Sequence, residues 1–347
     1  MNTPEPPKLP DYLSDLVDAA MNGPYRPRHM LQLSRILAEM NQLPEAETLA
    51  NWVLEHDSDN LVRAFEAINI LHDEGLITGG TAALKPADYA IDANALDADG
   101  ISLALSHLQQ YGLVQIDRVY SDELITHIRS ELLEQLGDPD QGRYDEGALD
   151  LGGRRYIASL ELKNAFNDPD YYANPNLIKV LNAVFRKVYV LNAFGCSVAL
   201  SGCDEQRFHC DHPSLFGDPD QDKHLPVYAV NVFTPVMDMN RQNGTTKFFV
   251  ASHLASDAIR RNDAGELIDG IIEAEVPAGS ALIYDYRLFH AGTGNPGDNV
   301  RPLPYLFFSK PWFRDMVNFD KHQPLNMPSK ELNKVPEELK ARLNLAK

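Results

Sequence analysis

The chain has 347 residues, of which 44% are hydrophobic, and it carries a formal net charge of −19 at pH 7. This length and apolar content suffice for one large domain with a full hydrophobic core plus an appendage. The acidic balance argues against the broad basic surface that binds nucleic acid, and it disfavours an anionic membrane. The net charge does not exclude a small anionic substrate, because such a substrate needs only one or two local cations.

The chain shows no pattern of targeting or membrane insertion. No apolar run approaches the roughly eighteen residues that a transmembrane helix needs. The N-terminal sequence MNTPEPPKLPDYL lacks the basic start and apolar core of a signal peptide. The three cysteines, Cys196, Cys203 and Cys210, form neither a disulfide framework nor a CxxC metal pattern. We therefore expect a cytoplasmic protein.

Residues 1–85 are predicted to form a helical segment that resembles part of a tetratricopeptide unit. One unit and a fraction is too short to stabilise itself as a solenoid. We interpret the segment as helices packed on the rest of the chain or at a dimer contact; the alternative is a docking surface for a partner or a carrier-bound substrate. A third helix is expected at about 60–74. The apolar positions at helical spacing are Leu31, Leu33, Ile36, Leu37, Leu49, Trp52 and Val53.

A linker rich in Gly and Pro, GLITGGTAALKPADYAID, separates this segment from the second predicted domain, residues 96–347. That domain begins with a predicted helix, DADGISLALSHLQQYG, a strand, LVQIDRVY, and a second helix, SDELITHIRSELLEQL. Ser121 is a suitable N-cap for the second helix. Residues 137–175 are polar and rich in Gly, Asp and Tyr, and a loop of this length is typical of a functional lid.

From Lys187 onward the pattern is that of β-strands. Short turns separate the apolar runs, and Asn243-Gly244 is a strong hairpin signal. Many antiparallel strands with short turns predict a barrel-like or double-sheet jelly roll. The predicted fold class is therefore mainly β with helices: a double-stranded β-helix core, jelly-roll or cupin-like, preceded by a helical segment.

Two histidines, one aspartate and one arginine in this β region are candidate functional residues. His209 and Asp211 are two apart in QRFHCDH, so on a strand both side chains point to one face. His290 ends a later apolar strand. Two imidazoles and one carboxylate form the facial triad of non-haem Fe(II) oxygenases, which leaves positions open for a bidentate keto acid and O2. Arg301 could hold the distal carboxylate of that acid.

From about Leu96 to the C-terminus the chain resembles the phytanoyl-CoA dioxygenase family of Fe(II)/2-oxoglutarate oxygenases. The resemblance implies iron on His209, Asp211 and His290, and 2-oxoglutarate on Arg301. Many relatives carry a Ser two residues after the distal His as a second ligand of the co-substrate carboxylate. Here Gly292 takes that place, which either weakens the case for Arg301 or requires a hydroxyl elsewhere. The matching stretches are YGLVQIDRVYSDELI, EQRFHCDHPSLFG, NGTTKFFVASH, VPAGSALIYDYRLFHAG and RPLPYLFFSKPWFRD.

The resemblance implies a dioxygenase that hydroxylates an unactivated C–H bond of a small-molecule or carrier-bound substrate and releases succinate and CO2. Asp211 favours hydroxylation over chlorination, because related halogenases lack this carboxylate. Desaturation, cyclisation and epimerisation are alternative reactions that use the same cofactors. The alternatives in other classes are a cupin-like isomerase or hydrolase that does not use 2-oxoglutarate, and a helical adaptor on an inactive barrel. An oligomer through the N-terminal helices is a further expectation.

Three further positions carry predictions. Asn231, a polar residue in the apolar run YAVNVF, either satisfies a backbone group or hydrogen-bonds the co-substrate, and it joins Arg301 as a candidate co-substrate residue. Arg154 and Arg155 form a basic pair whose expected partner is solvent or a surface carboxylate rather than a substrate anion. Trp312 is expected to pack in the core beneath the barrel.

Overall fold

The structure is a computed structural model. It describes residues 9–10, 13, 17–18, 20–21, 26–40, 42–56, 67, 85–137, 148–212, 215–216, 219–222, 224–254, 271–315, 317–318 and 325–345. The longer helices are α1 (Arg26–Glu39), α2 (Leu43–His56), α3 (Ala98–Gln110), α4 (Asp122–Leu136) and α5 (Pro175–Phe185). Single helical turns lie at Pro86–Tyr89, Ala93–Ala95, Asn164–Asn167, Pro169–Tyr172, Pro219–Asp222, Ser329–Leu332 and Glu337–Lys340.

Eleven strands are found in the described residues, and they form two sheets. The larger has the order β1-β2-β9-β6-β11-β5-β4-β3, and the smaller has the order β10-β7-β8. All neighbours are antiparallel except β1 and β2. The strands are β1 (Ala90–Asp92), β2 (Leu113–Asp117), β3 (Ala148–Gly152), β4 (Arg155–Ser159), β5 (Val190–Ala199), β6 (Ala229–Phe233), β7 (Thr246–Phe249), β8 (Ile271–Ala274), β9 (Ala281–Asp285), β10 (His290–Gly292) and β11 (Arg301–Ser309).

The larger sheet is buried on both faces, which explains why its central strands are apolar without a break. Every residue of β6, β9 and β11 is buried. Alternate side chains point to opposite faces of a strand. Ile283 accordingly packs toward the core shared with α3, α4 and α5, whereas Leu282 and Tyr284 pack toward the smaller sheet. The predicted fold class, a mainly β jelly-roll core with helices, is confirmed.

The two predicted helices at the start of this domain are present as α3 and α4. Ser121 Oγ accepts a hydrogen bond of 3.2 Å from Leu124 N–H, so the predicted N-cap of α4 is also confirmed. The cap satisfies one of the first-turn N–H groups that the helix itself leaves without a partner.

Three local expectations are wrong. Asn243-Gly244 turns the chain, with Gly244 at φ 88°, but β6 and β7 lie in different sheets and do not form a hairpin. The segment 137–175 is not one long lid, because its residues 148–159 hold the hairpin β3–β4 that extends the larger sheet. Trp312 is 64% exposed rather than packed in the core.

The N-terminal helices pack on the outer side of the smaller sheet. Buried residues of α1 and α2, among them Leu31 and Leu49, share one apolar cluster with Phe208, Phe249 and Phe289. This packing agrees with the interpretation of the segment as helices packed on the rest of the chain. Of the third predicted helix, 60–74, only Ala67 lies within the described residues, where it is helical and buried. The division into domains 1–85 and 96–347 stays a prediction.

None of the helices in the part of the chain that the structure describes has both the length and the apolar content to cross a membrane.

The packing of α1 predicts a contrast between two apolar residues of the same helix. Leu31 is 1% exposed, whereas Ile36 is 51% exposed. Leu31→Ala should lower the free energy of unfolding by about 2–5 kcal/mol, because it leaves a cavity in a packed core. Ile36→Ala should change it by less than about 0.5 kcal/mol. Urea unfolding of both variants measures the difference, and equal effects would contradict the packing described here.

Candidate active site

The site is built on a single β-bridge between His209 and His290. His209 N–H donates to His290 O, and His290 N–H donates to His209 O, each at 2.9 Å. Residues that exchange both bonds lie directly opposite each other, with side chains on one face. Both imidazoles therefore project to the same place, with ring centroids 4.5 Å apart. The predicted strand through EQRFHCDH is reduced to this bridge within residues 205–212.

Backbone carbonyls fix the tautomers of both imidazoles. His209 Nδ1 lies 2.9 Å from Arg207 O, and His290 Nδ1 lies 2.9 Å from Leu288 O. A carbonyl oxygen only accepts, so each Nδ1 carries a proton, and Nε2 is the ring nitrogen left to face a metal. Burial, followed by the nearby His290 ring, lowers the pKa of His209 to about 4. The His209 imidazole is therefore neutral near pH 7, as a metal ligand requires.

Asp211 offers one carboxylate oxygen to the histidines and holds the other with side chains of the larger sheet. Its Oδ1 lies 3.7 Å from His290 Nε2. Its Oδ2 accepts hydrogen bonds from Asn231 Nδ2 at 2.8 Å and from Tyr284 OH at 3.3 Å. Asn231 and Tyr284 are directly opposite each other on β6 and β9, so both reach the carboxylate from one face. Asn318 Nδ2 also donates to Asp211 O, at 2.7 Å.

His209, Asp211 and His290 have the geometry and the donor types to hold a transition metal. One ligand atom from each lies within 4.8 Å of the others, and of the described residues no other group of three does this. Two imidazoles and one carboxylate suit Fe(II) in an octahedral site with open positions. The hydrogen bonds to Nδ1 and Oδ2 are the outer contacts that usually orient such ligands. The residues therefore fit the metal that the sequence predicts.

A cavity of about 690 Å³ opens in front of these three residues. Its inner wall includes Asn231, Tyr284 and Arg301, which places every site residue predicted from the sequence around one space. Asn231 donates to Asp211 and Tyr284 through Nδ2, and its buried Oδ1 has no hydrogen-bond partner among the described residues. Its assignment to the co-substrate stays a prediction.

Arg301 is buried in this cavity wall with donors to spare. It is 2% exposed, and its Nε and Nη1 have no hydrogen-bond partner among the described residues. Burial and the neighbouring Arg155 lower the pKa of Arg301 to about 10. A buried cation without an anion is costly, so the site fits an anionic ligand such as the carboxylate of a keto acid.

The expected solvent exposure of Arg155 is wrong. Arg154 is exposed, but Arg155 is 2% exposed and lines the cavity. Sequence reasoning also missed Tyr284 and Asn318, which contact Asp211. Counting alternate side chains back from His290 could not have found Tyr284, because β9 ends at Asp285 and a turn separates it from β10. No local signal points to Asn318, because its position depends on how the chain returns after β11.

The amino-acid sequence matches the family model described as Phytanoyl-CoA dioxygenase (PhyH) across residues 108–303. It is similar to Dioxygenase af480 of Aspergillus fumigatus, at 25% identity over 156 residues that cover 45% of this chain and 48% of that protein. It is also similar to Dioxygenase olcK of Penicillium canescens, at 24% identity over 206 residues that cover 56% of this chain and 65% of that protein. The chain thus spans about half the length of the first of these relatives.

Two solved structures resemble the fold at low identity. The non-heme alpha ketoglutarate dependent epimerase SnoN from nogalamycin biosynthesis is 13% identical, with a TM-score of 0.48, 66% of this chain covered and 91% of that one. The alpha ketoglutarate dependent carbocyclase SnoK is 17% identical, with a TM-score of 0.44, 64% of this chain covered and 87% of that one.

The contact between Asn231 and Asp211 predicts an effect on metal affinity. Asn231→Ala removes the hydrogen bond that orients the carboxylate and should weaken Fe(II) binding about ten- to a hundredfold. Asn192→Ala is a matched control, because Asn192 is bonded to Ser309 Oγ and does not line the cavity. Anaerobic titration with Fe(II) measures both constants. Equal Fe(II) affinities in the two variants would show that Asn231 does not support Asp211 as a metal ligand.

Proposed function

The chain belongs to the phytanoyl-CoA dioxygenase family, whose model matches more than half of its length, and we propose from this that it is an Fe(II)- and 2-oxoglutarate-dependent oxygenase. The observation that carries the proposal is the placement of two kinds of binding group around one cavity. His209, Asp211 and His290 face it with metal-ligating atoms, and Arg301 lines it with donors that have no hydrogen-bond partner among the described residues.

Iron is proposed to bind Nε2 of His209, Nε2 of His290 and Oδ1 of Asp211. When bound, it would supply the activation of O2 and the redox chemistry, as cofactors generally do. The chain's own residues hold the ligands in place. Arg207 O and Leu288 O orient the imidazoles, and the hydrogen bonds to Oδ2 leave only Oδ1 of Asp211 for the metal.

The far carboxylate of 2-oxoglutarate is proposed to pair with Arg301. This arginine begins β11, and it is fixed in register against Ala199 of β5. A guanidinium held on a buried strand presents its donors in a fixed fork and loses little conformational freedom on binding. The unpaired cation favours this reading over a cupin-like enzyme that works without a keto acid, because such an enzyme would have no use for it.

Hydroxylation of an unactivated C–H bond is the proposed outcome. Asp211 would take the ligand position that a halide needs for chlorination. Leu149, Leu151 and Val317 line the outer part of the cavity, and the last two are 40% and 50% exposed. Asp204, Glu205 and Arg207 are also exposed and line the cavity, so its mouth is mixed. It fits a small-molecule substrate that has an apolar portion and polar groups. Desaturation, cyclisation and epimerisation depend on how the substrate is placed there. A carrier-bound substrate, an oligomer and a cytoplasmic location stay predictions.

Loss of any proposed iron ligand should abolish turnover and weaken metal binding. The variants are His209→Ala, Asp211→Ala and His290→Ala, and the reason is that these three residues are the only group of metal-ligating side chains found among the described residues. His224→Ala serves as the control, because His224 is exposed and outside the cavity. The measurement is anaerobic Fe(II) titration, followed by substrate-stimulated release of succinate. Wild-type Fe(II) affinity in one of these variants would show that the substituted residue is not an iron ligand.

Arg301→Ala should weaken the binding of 2-oxoglutarate without removing iron. A charged hydrogen-bonded pair contributes about 1.5–3 kcal/mol, which corresponds to about ten- to a hundredfold in the dissociation constant. The readout is the weak visible absorption band expected when 2-oxoglutarate chelates Fe(II) in the absence of O2. Arg118→Ala, at an exposed arginine paired with Asp92, is the control. An unchanged constant in Arg301→Ala would mean that another cation holds the carboxylate.

A further inference from the structure

The chain comes back to the cavity after it leaves β11. Phe313 and Asp315 are buried, and Val317 and Asn318 line the cavity. We call residues 313–315 and 317–318 the return segment. None of these residues belongs to a helix or a strand. Side-chain contacts, rather than a ladder of backbone hydrogen bonds, therefore hold the return segment in its place.

A buried tyrosine anchors the return segment to the larger sheet. Tyr286 directly follows β9, and its ring stacks on Phe307 of β11 with the ring centroids 4.5 Å apart. Its hydroxyl donates a hydrogen bond to Asp315 Oδ2 at 2.5 Å. A buried hydroxyl and a buried carboxylate are both costly when they lack hydrogen bonds, so each of the two satisfies the other. A hydrogen bond to a charged acceptor is strong, and it fixes Asp315 against the sheet.

Asp315 in turn fixes the position of Asn318. Asp315 Oδ1 accepts hydrogen bonds from the main-chain N–H of Val317 at 2.9 Å and from that of Asn318 at 2.7 Å. Asp315 Oδ2 accepts a hydrogen bond from Asn318 Nδ2 at 3.0 Å. The backbone and the side chain of Asn318 are thus bonded to one carboxylate, which leaves the amide group little freedom to turn.

The other proton of the Asn318 amide goes to the backbone of Asp211. Asn318 Nδ2 donates to the main-chain oxygen of Asp211 at 2.7 Å. An amide nitrogen carries two protons, so it can serve this oxygen and the Asp315 carboxylate together. The ring of Phe313 also contacts the ring of His212, with the centroids 5.2 Å apart. The return segment therefore holds the chain at two consecutive positions, 211 and 212.

This contact restrains a part of Asp211 that its other contacts leave free. Side chains of the larger sheet hold Oδ2 of the carboxylate, but the place of the carboxylate also depends on the backbone that carries it. The β-bridge that fixes the backbone of His209 does not include Asp211. A metal ligand works only when it is held within about 0.5 Å of its productive position. Asn318 supplies the missing restraint on the main chain.

We propose that Asn318 is a positioning residue for the proposed iron site, and that Tyr286 and Asp315 hold it in place. The inference rests on the proposed function, because it concerns a ligand of the same metal. Asn318 holds the main-chain oxygen of Asp211, so Oδ1 of that residue stays within reach of the two imidazoles. Val317, the neighbour of Asn318, lines the mouth of the cavity. The segment that restrains the metal ligand therefore also borders the space for the substrate.

The test compares the dissociation constant of Fe(II) in variants of the full chain, measured without O2. Asn318→Ala removes the hydrogen bond to Asp211, and Tyr286→Phe removes only the hydroxyl that holds Asp315. We expect Asn318→Ala to bind Fe(II) about ten- to a hundredfold more weakly, and Tyr286→Phe to bind it about two- to tenfold more weakly. Asn318→Leu, which keeps the volume but has no donor, should behave as Asn318→Ala does, and it replaces that variant if Asn318→Ala does not fold.

Two matched controls separate positioning of the ligand from a general loss of structure. Asn174 is buried, and its Nδ2 donates to Val119 O at 3.0 Å and to Asp170 O at 3.1 Å. Tyr171 is buried, and its hydroxyl lies 2.8 Å from Thr234 Oγ1. Neither residue lines the cavity. Asn174→Ala and Tyr171→Phe should therefore lower the melting temperature and bind Fe(II) as the wild type does. If they weaken Fe(II) binding by the same factors as the test variants, the proposal is overturned.

A double-variant cycle tests whether Tyr286 acts through Asn318. Tyr286→Phe should weaken Fe(II) binding in the wild type but have little effect in an Asn318→Ala background, because the contact that the tyrosine supports is already gone. Equal losses in both backgrounds would overturn the role given to Tyr286 and Asp315. A wild-type protein that binds no Fe(II) would refute the proposed function itself, whereas wild-type binding with unchanged affinity in Asn318→Ala would refute only the positioning role.

Discussion

The pair of backbone hydrogen bonds between His209 and His290 is the constraint on which the rest of the site depends. It attaches the segment 205–212 to the free edge of β10 and sets two imidazoles opposite each other. Because side chains alternate along an extended chain, the same bridge turns Phe208 and Phe289 to the other side. One short bridge thus has a polar face toward the cavity and an apolar face toward the N-terminal helices.

This arrangement gives the helical segment a physical role that does not require contact with any ligand. The helices cover the aromatic residues that flank the two histidines, so their packing restrains the backbone that carries the imidazoles. Packed interiors transmit strain, because they deform little. The amphipathic pattern of α1 and α2 accordingly reflects packing in a hydrophobic core. The buried residues of the two helices contact the smaller sheet, not a neighbouring tetratricopeptide-like repeat.

Charge is distributed unevenly between the molecule and its cavity. The chain has a net charge of −19, yet two buried arginines line the cavity beside Asp211 of the proposed metal site, whereas the other lining carboxylates, Asp204 and Glu205, are exposed. A divalent cation would balance Asp211, and a dicarboxylate would balance the arginines. Buried charges are stable only when they are compensated. The uncompensated charges of the buried cavity residues therefore indicate the charge of the ligands more directly than the net charge of the chain does. The net charge describes mainly the outer surface.

The sequence by itself determined the elements with strong periodicity and the cap of α4, and it predicted that His209, Asp211 and His290 lie together, as they do in the structure. These depend on local spacing, because residues two apart share a face of an extended chain and apolar positions recur with the period of a helix. Only the tertiary structure decided the burial of Arg155 and the pairing of strands around Asn243-Gly244. Arg155 is next to Arg301 because β4 and β11 both pair with β5 in one register, and strand pairing between distant segments is set by the global packing of the sheets rather than by the residues of the turn.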